Sequence, residues 1–304
     1  KLVFEKGVDL YYGKTNFHNR VKLNFDDRTG FDKAKLAAEN SDIVIMVLGE
    51  EGNQSGEGRS RTNIGLPGLQ LELLKEIYKI NQNIVLVVMS GRPLDLTWAD
   101  KNIPAIIQAW HLGSKSGEAI AEVLYGDYNP SGKLTMSFPR NVGQVPIYYN
   151  FKNTGRPSTS IEQVTNSGYA DVVNSPLYSF GYGLSYTNFK YSNLSIDNDK
   201  LDYNSKINIS IDIENTGFYT GKEVVQLYLR DLVGSIARPM KELKGFKIIE
   251  LSPGESQTVN FEIESSLLEF YTFNNKWEAE NGKFHAFIGS NSDVVDYKEF
   301  YLVD

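Results

Sequence analysis

The sequence predicts two folded regions in tandem: an α/β three-layer sandwich with a mostly parallel sheet, followed by an all-β sandwich. Up to about residue 140, apolar runs alternate with stretches whose leucines and isoleucines recur every three or four residues. This rhythm indicates a parallel sheet with helices on both of its faces. From about residue 188 onward, polar and apolar residues alternate between turn signals such as "NTG" and "SPGES". That alternation is typical of a β-sandwich.

The elements of the first region are predicted from their periodicity. "DIVIMVLGE" is continuously apolar, as a strand covered on both faces must be. "LPGLQLELLKEIYKI" predicts an amphipathic helix whose start is marked by Pro67. The other predicted strands are "KLVFEKG", "NIVLVVMSG" and "AIIQAWHLG", and the other predicted helices are "GFDKAKLAAENS" and "KSGEAIAEVLYGD".

A segment of different composition separates the two regions. It contains "NTGRPSTSIEQVTNSGYADVVNSP", which is rich in Asn, Ser, Thr and Gly and lacks periodicity, so we expect a linker or wrapping loop. Strands of the second region are predicted within "KINISIDIENTG", "KEVVQLYLRD", "SQTVNFEIE", "KWEAENGKFHAFIGS" and "EFYLVD". The predicted domains are therefore residues 1–140 and 188–304, joined by the linker 141–187.

Charge and composition argue against several classes of function. The formal net charge is −7, which disfavours nucleic acid as a partner because duplex binding needs a basic face. The sequence has no cysteine, which excludes disulfides, zinc–thiolate sites and a cysteine nucleophile. Its three histidines are far apart, which argues against a histidine metal cluster. No glycine motif for phosphates or dinucleotides occurs, so we predict neither a metal nor a cofactor.

The sequence predicts no membrane span, because its longest apolar run, "NIVLVVM", is far shorter than the ~20 residues that a bilayer requires. The first residues, "KLVFEKGVDLYY", lack a methionine start and resemble a strand already under way. We therefore expect the chain to begin inside a larger protein. The compartment stays open, with a periplasmic or secreted location favoured over a cytoplasmic one, and the oligomeric state stays open as well.

The most unusual segment is "GEEGNQSGEGRSR", residues 49–61, which directly follows an apolar strand. It combines three glutamates with four glycines and two arginines. In open α/β sheets, ligands meet the loops at the carboxyl ends of the strands. A loop of this composition and position can deliver one carboxyl group to a substrate.

Several longer stretches share a resemblance to one family. They are "GEEGNQSGEGRSRTNIGLPGLQLELLKEI", "VVMSGRPL", "AIIQAWHLGSKSGEAIAEVLYGDYNPSGKLTMSFP", "NTGRP", "YSFGYGLSYTNF", "ENTGFYTGKEVVQLYLRD" and "RPMKELKGFKIIELSPGESQTVNFEI". Together, and in this order, they resemble glycoside hydrolase family 3 of the β-glucosidase type. The resemblance implies an N-terminal (β/α)8 barrel, an α/β sandwich and a fibronectin type III-like domain. This chain resembles most of the second part and the third, without the barrel.

The resemblance also implies a catalytic role for the loop. Family members are retaining glycosidases, which use two carboxyl groups about 5 Å apart, one as nucleophile and one as general acid/base. The implied nucleophile is an aspartate on the barrel, outside this chain, and the implied acid/base falls on Glu57. Glu50 and Glu51 compete with it, and a fourth possibility is that none of the three serves. Glu50 is better placed to anchor the loop. Arg59 and Arg61 are the expected partners of Glu50 or of a neighbouring acid, and Arg61 is favoured as the anchor.

Two further groups of residues are weaker candidates. Phe180 and Tyr182, in "YSFGYGLSYTNF", could approach the substrate from the linker. Trp98, Trp110 and His111 lie near strand ends, where packing is favoured over sugar stacking as the interpretation.

The leading hypothesis is the C-terminal portion of a retaining β-glucosidase that hydrolyses terminal non-reducing β-D-glucosyl residues. In this hypothesis the partners are a β-glucoside or oligosaccharide substrate and the missing barrel, and the chain alone is inactive. The alternative is a carbohydrate-binding or structural module without catalysis. A large exposed apolar patch on the α/β region would favour a fragment, because a surface that has lost its partner is left uncovered.

Overall fold

The computed structural model describes residues 1–158, 161–162 and 165–304. These residues form two compact units. The first unit comprises Lys1–Ala121 and Phe138–Val145, and the second comprises Glu122–Ser137 and Pro146–Asp304.

The predicted linker 141–187 is divided between the two units rather than standing apart from them. Four of its positions, 159, 160, 163 and 164, lie outside the described residues. The predicted domain boundaries at 140 and 187 therefore stay a prediction.

The first unit contains a parallel sheet with helices, which confirms the predicted α/β sandwich. Its elements in chain order are α1 (Phe31–Glu39), β1 (Val44–Gly49), α2 (Gln70–Ile80), β2 (Ile84–Met89), α3 (Thr97–Asn102), β3 (Ala105–Gln108) and the first part of α4 (Ser116–Tyr125), whose residues from Glu122 onward are assigned to the second unit. The sheet order is β1-β2-β3, with Val44 beside Ile84 and Val85 beside Ala105. Parallel neighbours need crossover connections, which contain α2 and α3 here. Helix α3 has no counterpart among the predicted elements, because six residues are too few for a periodic signal.

Helix α2 supplies a large part of the core of the first unit. Its apolar residues recur three and four positions apart, so Leu73, Leu74 and Ile77 share one face and are almost fully buried. The helix begins at Gln70, three residues after Pro67. The chain therefore follows the predicted amphipathic pattern, with its start slightly later than the proline.

Two expectations for the first unit are wrong. The segment "KLVFEKG" forms no strand, and Leu2 and Phe4 are each 85% exposed, with no strand beside them among the described residues. Strand β1 is not covered on both faces, because Ile45 and Val47 are 41% and 56% exposed. These two side chains share one face of a strand at the edge of the sheet. An apolar run predicts a buried strand but does not determine whether a second layer lies over each part of it.

The second unit is an all-β sandwich, as predicted. Its strands are β4 (Phe189–Ile196), β5 (Lys200–Asp202), β6 (Lys206–Asn215), β7 (Gly221–Asp231), β8 (Glu242–Leu251), β9 (Ser256–Glu264), β10 (Phe270–Tyr271), β11 (Trp277–Glu278), β12 (Gly282–Gly289) and β13 (Tyr297–Val303). One sheet has the order β5-β13-β12-β7-β8, another has the order β4-β6-β9, and β10 and β11 form a separate hairpin. Neighbouring strands are antiparallel except for β13 and β5.

The core of the sandwich comes from strict alternation along its strands. On β6, Ile207, Ile209, Ile211 and Ile213 all point inward and are almost fully buried. They belong to one apolar cluster with inward residues of β7, β9, β12 and β13. The period of two in the sequence therefore corresponds directly to one buried and one outer face.

Among the described residues, no helix is long and apolar enough to cross a membrane.

Removal of a buried branched side chain from this cluster should destabilise the second unit. We expect Ile209→Ala to lower the free energy of unfolding by about 2–5 kcal/mol, because it removes apolar contacts and leaves a cavity. The matched control is Ile248→Ala on β8, where the side chain is 62% exposed and the cost should stay below about 1 kcal/mol. Urea unfolding of both variants measures the difference, and equal losses would contradict the assignment of Ile209 to the core.

Candidate active site

The candidate site begins where β1 ends, at Gly49. This residue has φ of 144°, and a Cβ placed on it would lie 1.8 Å from the carbonyl oxygen of Met89 on β2. Only glycine fits so close to the neighbouring strand. The side-chain amide of Gln70, at the start of α2, accepts a hydrogen bond from the Gly49 N–H (2.7 Å) and donates one to its carbonyl (2.8 Å). The end of the strand is thereby fixed before the loop 49–61 begins.

The carboxyl group of Glu50 is fully buried and is held by two arginines. Arg61 donates from Nη1 to Oε1 at 2.6 Å, and Arg92 donates from Nε to Oε2 at 3.2 Å. A buried carboxylate is costly unless charged partners and hydrogen bonds compensate for its lost hydration. Two planar guanidinium groups meet that requirement. We call these three residues the arginine clamp.

The arginine clamp also holds the backbone of the loop. Arg92 donates from Nη2 to the carbonyl oxygens of Gln54 (2.6 Å) and Arg59 (2.9 Å). Arg61 donates from Nη2 to the carbonyl oxygen of Gly65 at 3.0 Å. The carbonyls of Gln54 and Arg59 lie on the two sides of Glu57 in sequence, so Arg92 alone ties both arms of the loop to one point.

Sequence reasoning predicted Arg61 as the partner of Glu50 but did not identify Arg92. A signal for it was present, because Arg92 follows β2 as Glu50 follows β1. Adjacent parallel strands end at the same edge of a sheet, so charged residues just beyond both ends can meet. Arg59 has a different role from a carboxylate partner, since its guanidinium donates to the carbonyl oxygens of Phe17 and Asn19.

Glu51 is occupied by local structure. Its carboxylate accepts hydrogen bonds from the backbone N–H of Asn53 (2.7 Å), the side chain of Asn53 (2.8 Å) and the hydroxyl of Thr15 (3.0 Å). Its own N–H donates to Oε1 of Gln54 at 2.9 Å. This reciprocal arrangement is a capping box for the single 3-10 turn Gly52–Gln54.

Glu57 differs from the other two glutamates in its exposure, in its contacts and in the backbone around it. Its side chain is exposed, and no hydrogen bond or ion pair joins it to another residue that the structure describes. It lies between Gly56, with φ of 114°, and Gly58, with φ of 68°. Both flanking residues adopt backbone conformations that favour glycine. Of the three carboxyl groups in the loop, this one alone is free to meet a ligand.

The weaker candidates lie in other surroundings. Phe180 and Tyr182 belong to the second unit, where Phe180 stacks on Tyr149 (ring centroids 4.3 Å apart) and Tyr182 stacks on Tyr178 (5.5 Å). Both are half-buried. These stacks are packing contacts, and a sugar contact by either residue stays a prediction.

Two tryptophans of the first unit make the packing contacts that were favoured for them. Trp98 meets Tyr78 edge to face with centroids 5.6 Å apart, and Trp110 meets Phe138 at 5.8 Å. His111 is exposed instead and lies beside Gly91, at the base of the loop. Among the described residues, no cluster of three or more histidine or carboxylate side chains is placed to hold a metal ion.

Comparisons with known proteins identify the families whose sequences this chain matches. Residues 6–186 match the Glycosyl hydrolase family 3 C-terminal domain, and residues 223–292 match the Fibronectin type III-like domain. The chain is 42% identical over its whole length to a periplasmic beta-glucosidase of Salmonella typhimurium, of which it covers 41%. It is 39% identical over 95% of its length to a beta-xylosidase of Formosa agariphila, of which it also covers 39%.

Solved structures give the same result. A beta-glucosidase from Listeria innocua in complex with glucose superposes on 93% of this chain with a TM-score of 0.86 and 36% identity. A mutant of that enzyme in complex with laminaribiose superposes equally well. The chain covers 40% and 39% of those two proteins. It therefore spans about two fifths of the length of the relatives that it matches.

Loss of the buried carboxylate should destabilise the first unit. In Glu50→Ala the guanidinium groups of Arg61 and Arg92 stay buried without their anionic partner, and we expect a loss of about 3–5 kcal/mol in the free energy of unfolding. The control is Glu57→Ala, which removes an exposed carboxylate from the same loop and should change that free energy by less than about 0.5 kcal/mol. Urea unfolding followed by tryptophan fluorescence compares the two, and a neutral Glu50→Ala would show that the arginine clamp does not hold the loop.

Proposed function

The chain belongs to glycoside hydrolase family 3, and we propose on that basis that it is the C-terminal portion of a retaining β-glucosidase. The proposed substrate is a β-glucoside or an oligosaccharide with a terminal non-reducing β-D-glucosyl residue. The similarity to beta-glucosidases of Salmonella typhimurium and Listeria innocua supports this choice of sugar.

Within this proposal, Glu57 is the general acid/base. The observation that supports it is the division of the loop's carboxyl groups: Glu50 is buried in the arginine clamp, Glu51 caps a turn, and Glu57 is exposed and free. A general acid must come within hydrogen-bond distance of the oxygen that it protonates, which a carboxyl group buried among arginines cannot do. Glu50 and Arg61 then act as loop anchors, together with Arg92.

The proposed mechanism uses Glu57 twice. In the first step its protonated carboxyl group donates a proton to the leaving glycosidic oxygen while a nucleophile attacks the anomeric carbon. In the second step its carboxylate removes a proton from the water that hydrolyses the glycosyl-enzyme. The two carboxyl groups of such a pair lie about 5 Å apart. The nucleophile in this proposal is an aspartate on an N-terminal barrel outside these residues, so the chain alone should not turn over substrate.

The arginine clamp and the glycines beside Glu57 both suit the proposed acid/base role. The arginine clamp fixes its base, whereas the glycines on both sides of Glu57 let the tip adjust when a barrel faces it. The exposed face of β1, with Ile45 and Val47, favours this hypothesis over a self-contained carbohydrate-binding or structural module. A module that is complete in itself should leave no such apolar face uncovered.

The test joins this chain to the N-terminal part of the Salmonella typhimurium relative. We expect the chimera to hydrolyse an aryl β-glucoside and this chain alone to show no turnover. Glu57→Gln in the chimera should lower kcat/KM by about 10²–10⁴-fold, because the leaving oxygen is no longer protonated. Glu51→Gln, in the same loop, is the matched control and should stay close to the parent.

A second measurement separates proton transfer from a structural effect. With 2,4-dinitrophenyl β-glucoside, whose leaving group needs no protonation, the Glu57→Ala chimera should still form the glycosyl-enzyme. Azide, an anion that needs no general base, should then accelerate turnover and yield β-glucosyl azide. An active Glu57→Gln chimera would contradict the assignment of Glu57. Turnover by this chain alone would contradict the proposal that the nucleophile lies outside these residues.

A further inference from the structure

Three large aromatic side chains are exposed on one short hairpin of the second unit. In the hairpin formed by β10 and β11 and their connecting loop, residues 270–278, Tyr271 is 50% exposed, Phe273 is 77% exposed and Trp277 is 68% exposed. We call this segment the aromatic hairpin. Burial of large aromatic side chains lowers the free energy of the system. Several of them exposed on one hairpin therefore indicate a surface that binds a ligand or a partner.

The backbone of the aromatic hairpin holds the rings of Tyr271 and Trp277 side by side. Tyr271 lies opposite Trp277 in the antiparallel pair, with ring centroids 6.0 Å apart and ring planes 64° apart. The loop between them is closed by two backbone hydrogen bonds, from Thr272 to Lys276 (2.9 Å) and from Asn275 to Thr272 (3.1 Å). Asn275 has φ of 58°, a left-handed conformation that asparagine tolerates at turns.

Polar side chains alternate with the rings and form a network of their own. Glu278 accepts hydrogen bonds at Oε1 from the Thr272 hydroxyl (2.6 Å) and the Asn274 side chain (2.9 Å). The Thr272 bond, followed by the Asn274 bond, lowers the pKa of Glu278 from its usual value. Among the described residues, the side chains of Asn275 and Lys276 have no hydrogen-bond partner. Donors and an acceptor therefore lie beside the exposed rings.

This combination matches the chemistry of a sugar. A pyranose ring presents a patch of C–H groups that stacks on an aromatic face, and hydroxyl groups around its rim that bond to amides and carboxylates. A protein interface instead has an apolar centre with a polar rim, whereas here the Asn274 amide and the Glu278 carboxylate lie on the same short hairpin as the rings. Lys276 and Glu278, two positions apart, carry opposite charges, so the hairpin has no net charge. This suits an uncharged ligand.

We propose that the aromatic hairpin is a second sugar-binding site, built from the second unit alone, that holds a chain of β-linked glucose residues by stacking on Trp277, Tyr271 and Phe273. All three rings are at least half exposed, so the proposed ligand is an extended chain of several sugars that lies across the surface. The choice of β-linked glucose rests on the proposed function and on the laminaribiose bound by the Listeria innocua relative.

The test measures binding, not hydrolysis. This chain is titrated with laminarihexaose and cellohexaose by isothermal calorimetry, and we expect one of them to bind more tightly than the α-linked maltohexaose. Trp277→Ala should weaken that binding at least tenfold, and Trp277→Phe should restore part of it because an aromatic face returns. The matched control is Phe218→Ala, which removes a ring that is 91% exposed elsewhere in the second unit and should leave binding unchanged.

Several outcomes would overturn this proposal. The first is that the chain binds no hexaose at millimolar concentration, and the second is that the parent and Trp277→Ala bind hexaose with equal affinity. The third is that the chain binds no glucan but associates with itself, and that Trp277→Ala abolishes this self-association. The proposed function fails independently, because Glu57→Gln should lower kcat/KM of the chimera by about 10²–10⁴-fold and should leave hexaose binding by this chain unchanged. A chimera that hydrolyses aryl β-glucosides but binds no hexaose refutes the aromatic hairpin alone.

Discussion

The ion pairs of Glu50 with Arg61 and Arg92 are the constraint on which the candidate site depends. A carboxylate with no exposed side-chain surface is tolerated only when charged groups replace its water, and two guanidinium groups do so here. Each guanidinium has donors left over after it meets the carboxylate. Those donors bind carbonyl oxygens of the surrounding loop, so the neutralisation of one buried charge also determines the path of the backbone.

Local contacts within the loop give three chemically identical side chains different surroundings. Glu50 is withdrawn from solvent and Glu51 is used by a capping box, whereas Glu57 extends from a tip flanked by two glycines. A carboxyl group that must gain and lose a proton needs access to substrate and water, which the two structural glutamates lack. The proposed acid/base role of Glu57 agrees with this arrangement, in which the arginine clamp holds the arms of the loop and the carboxyl group at the tip stays exposed.

Two exposed apolar surfaces have different chemistry, and we interpret them differently. On β1, Ile45 and Val47 form part of an unbroken apolar strand at a sheet edge, with no polar side chain between them that could bind a ligand in that face. On the aromatic hairpin, rings alternate with amide, ammonium and carboxylate groups held in a hydrogen-bond network. The first is suited to packing against protein, and the second to an amphipathic ligand such as a sugar.

The sequence by itself determined the two fold classes, the main helices and strands, and the position of the candidate loop at the end of β1. These features are encoded in the periodicity of consecutive residues, as in α2 and β6, and in local signals such as Gly49 at a strand end. Tertiary structure alone decided that "KLVFEKG" is not a strand, that one face of β1 is bare, and that Arg92 meets Glu50 across 42 positions. The physical reason is that burial and ion pairing depend on which distant segments meet, and periodicity describes only how neighbours along the chain are arranged.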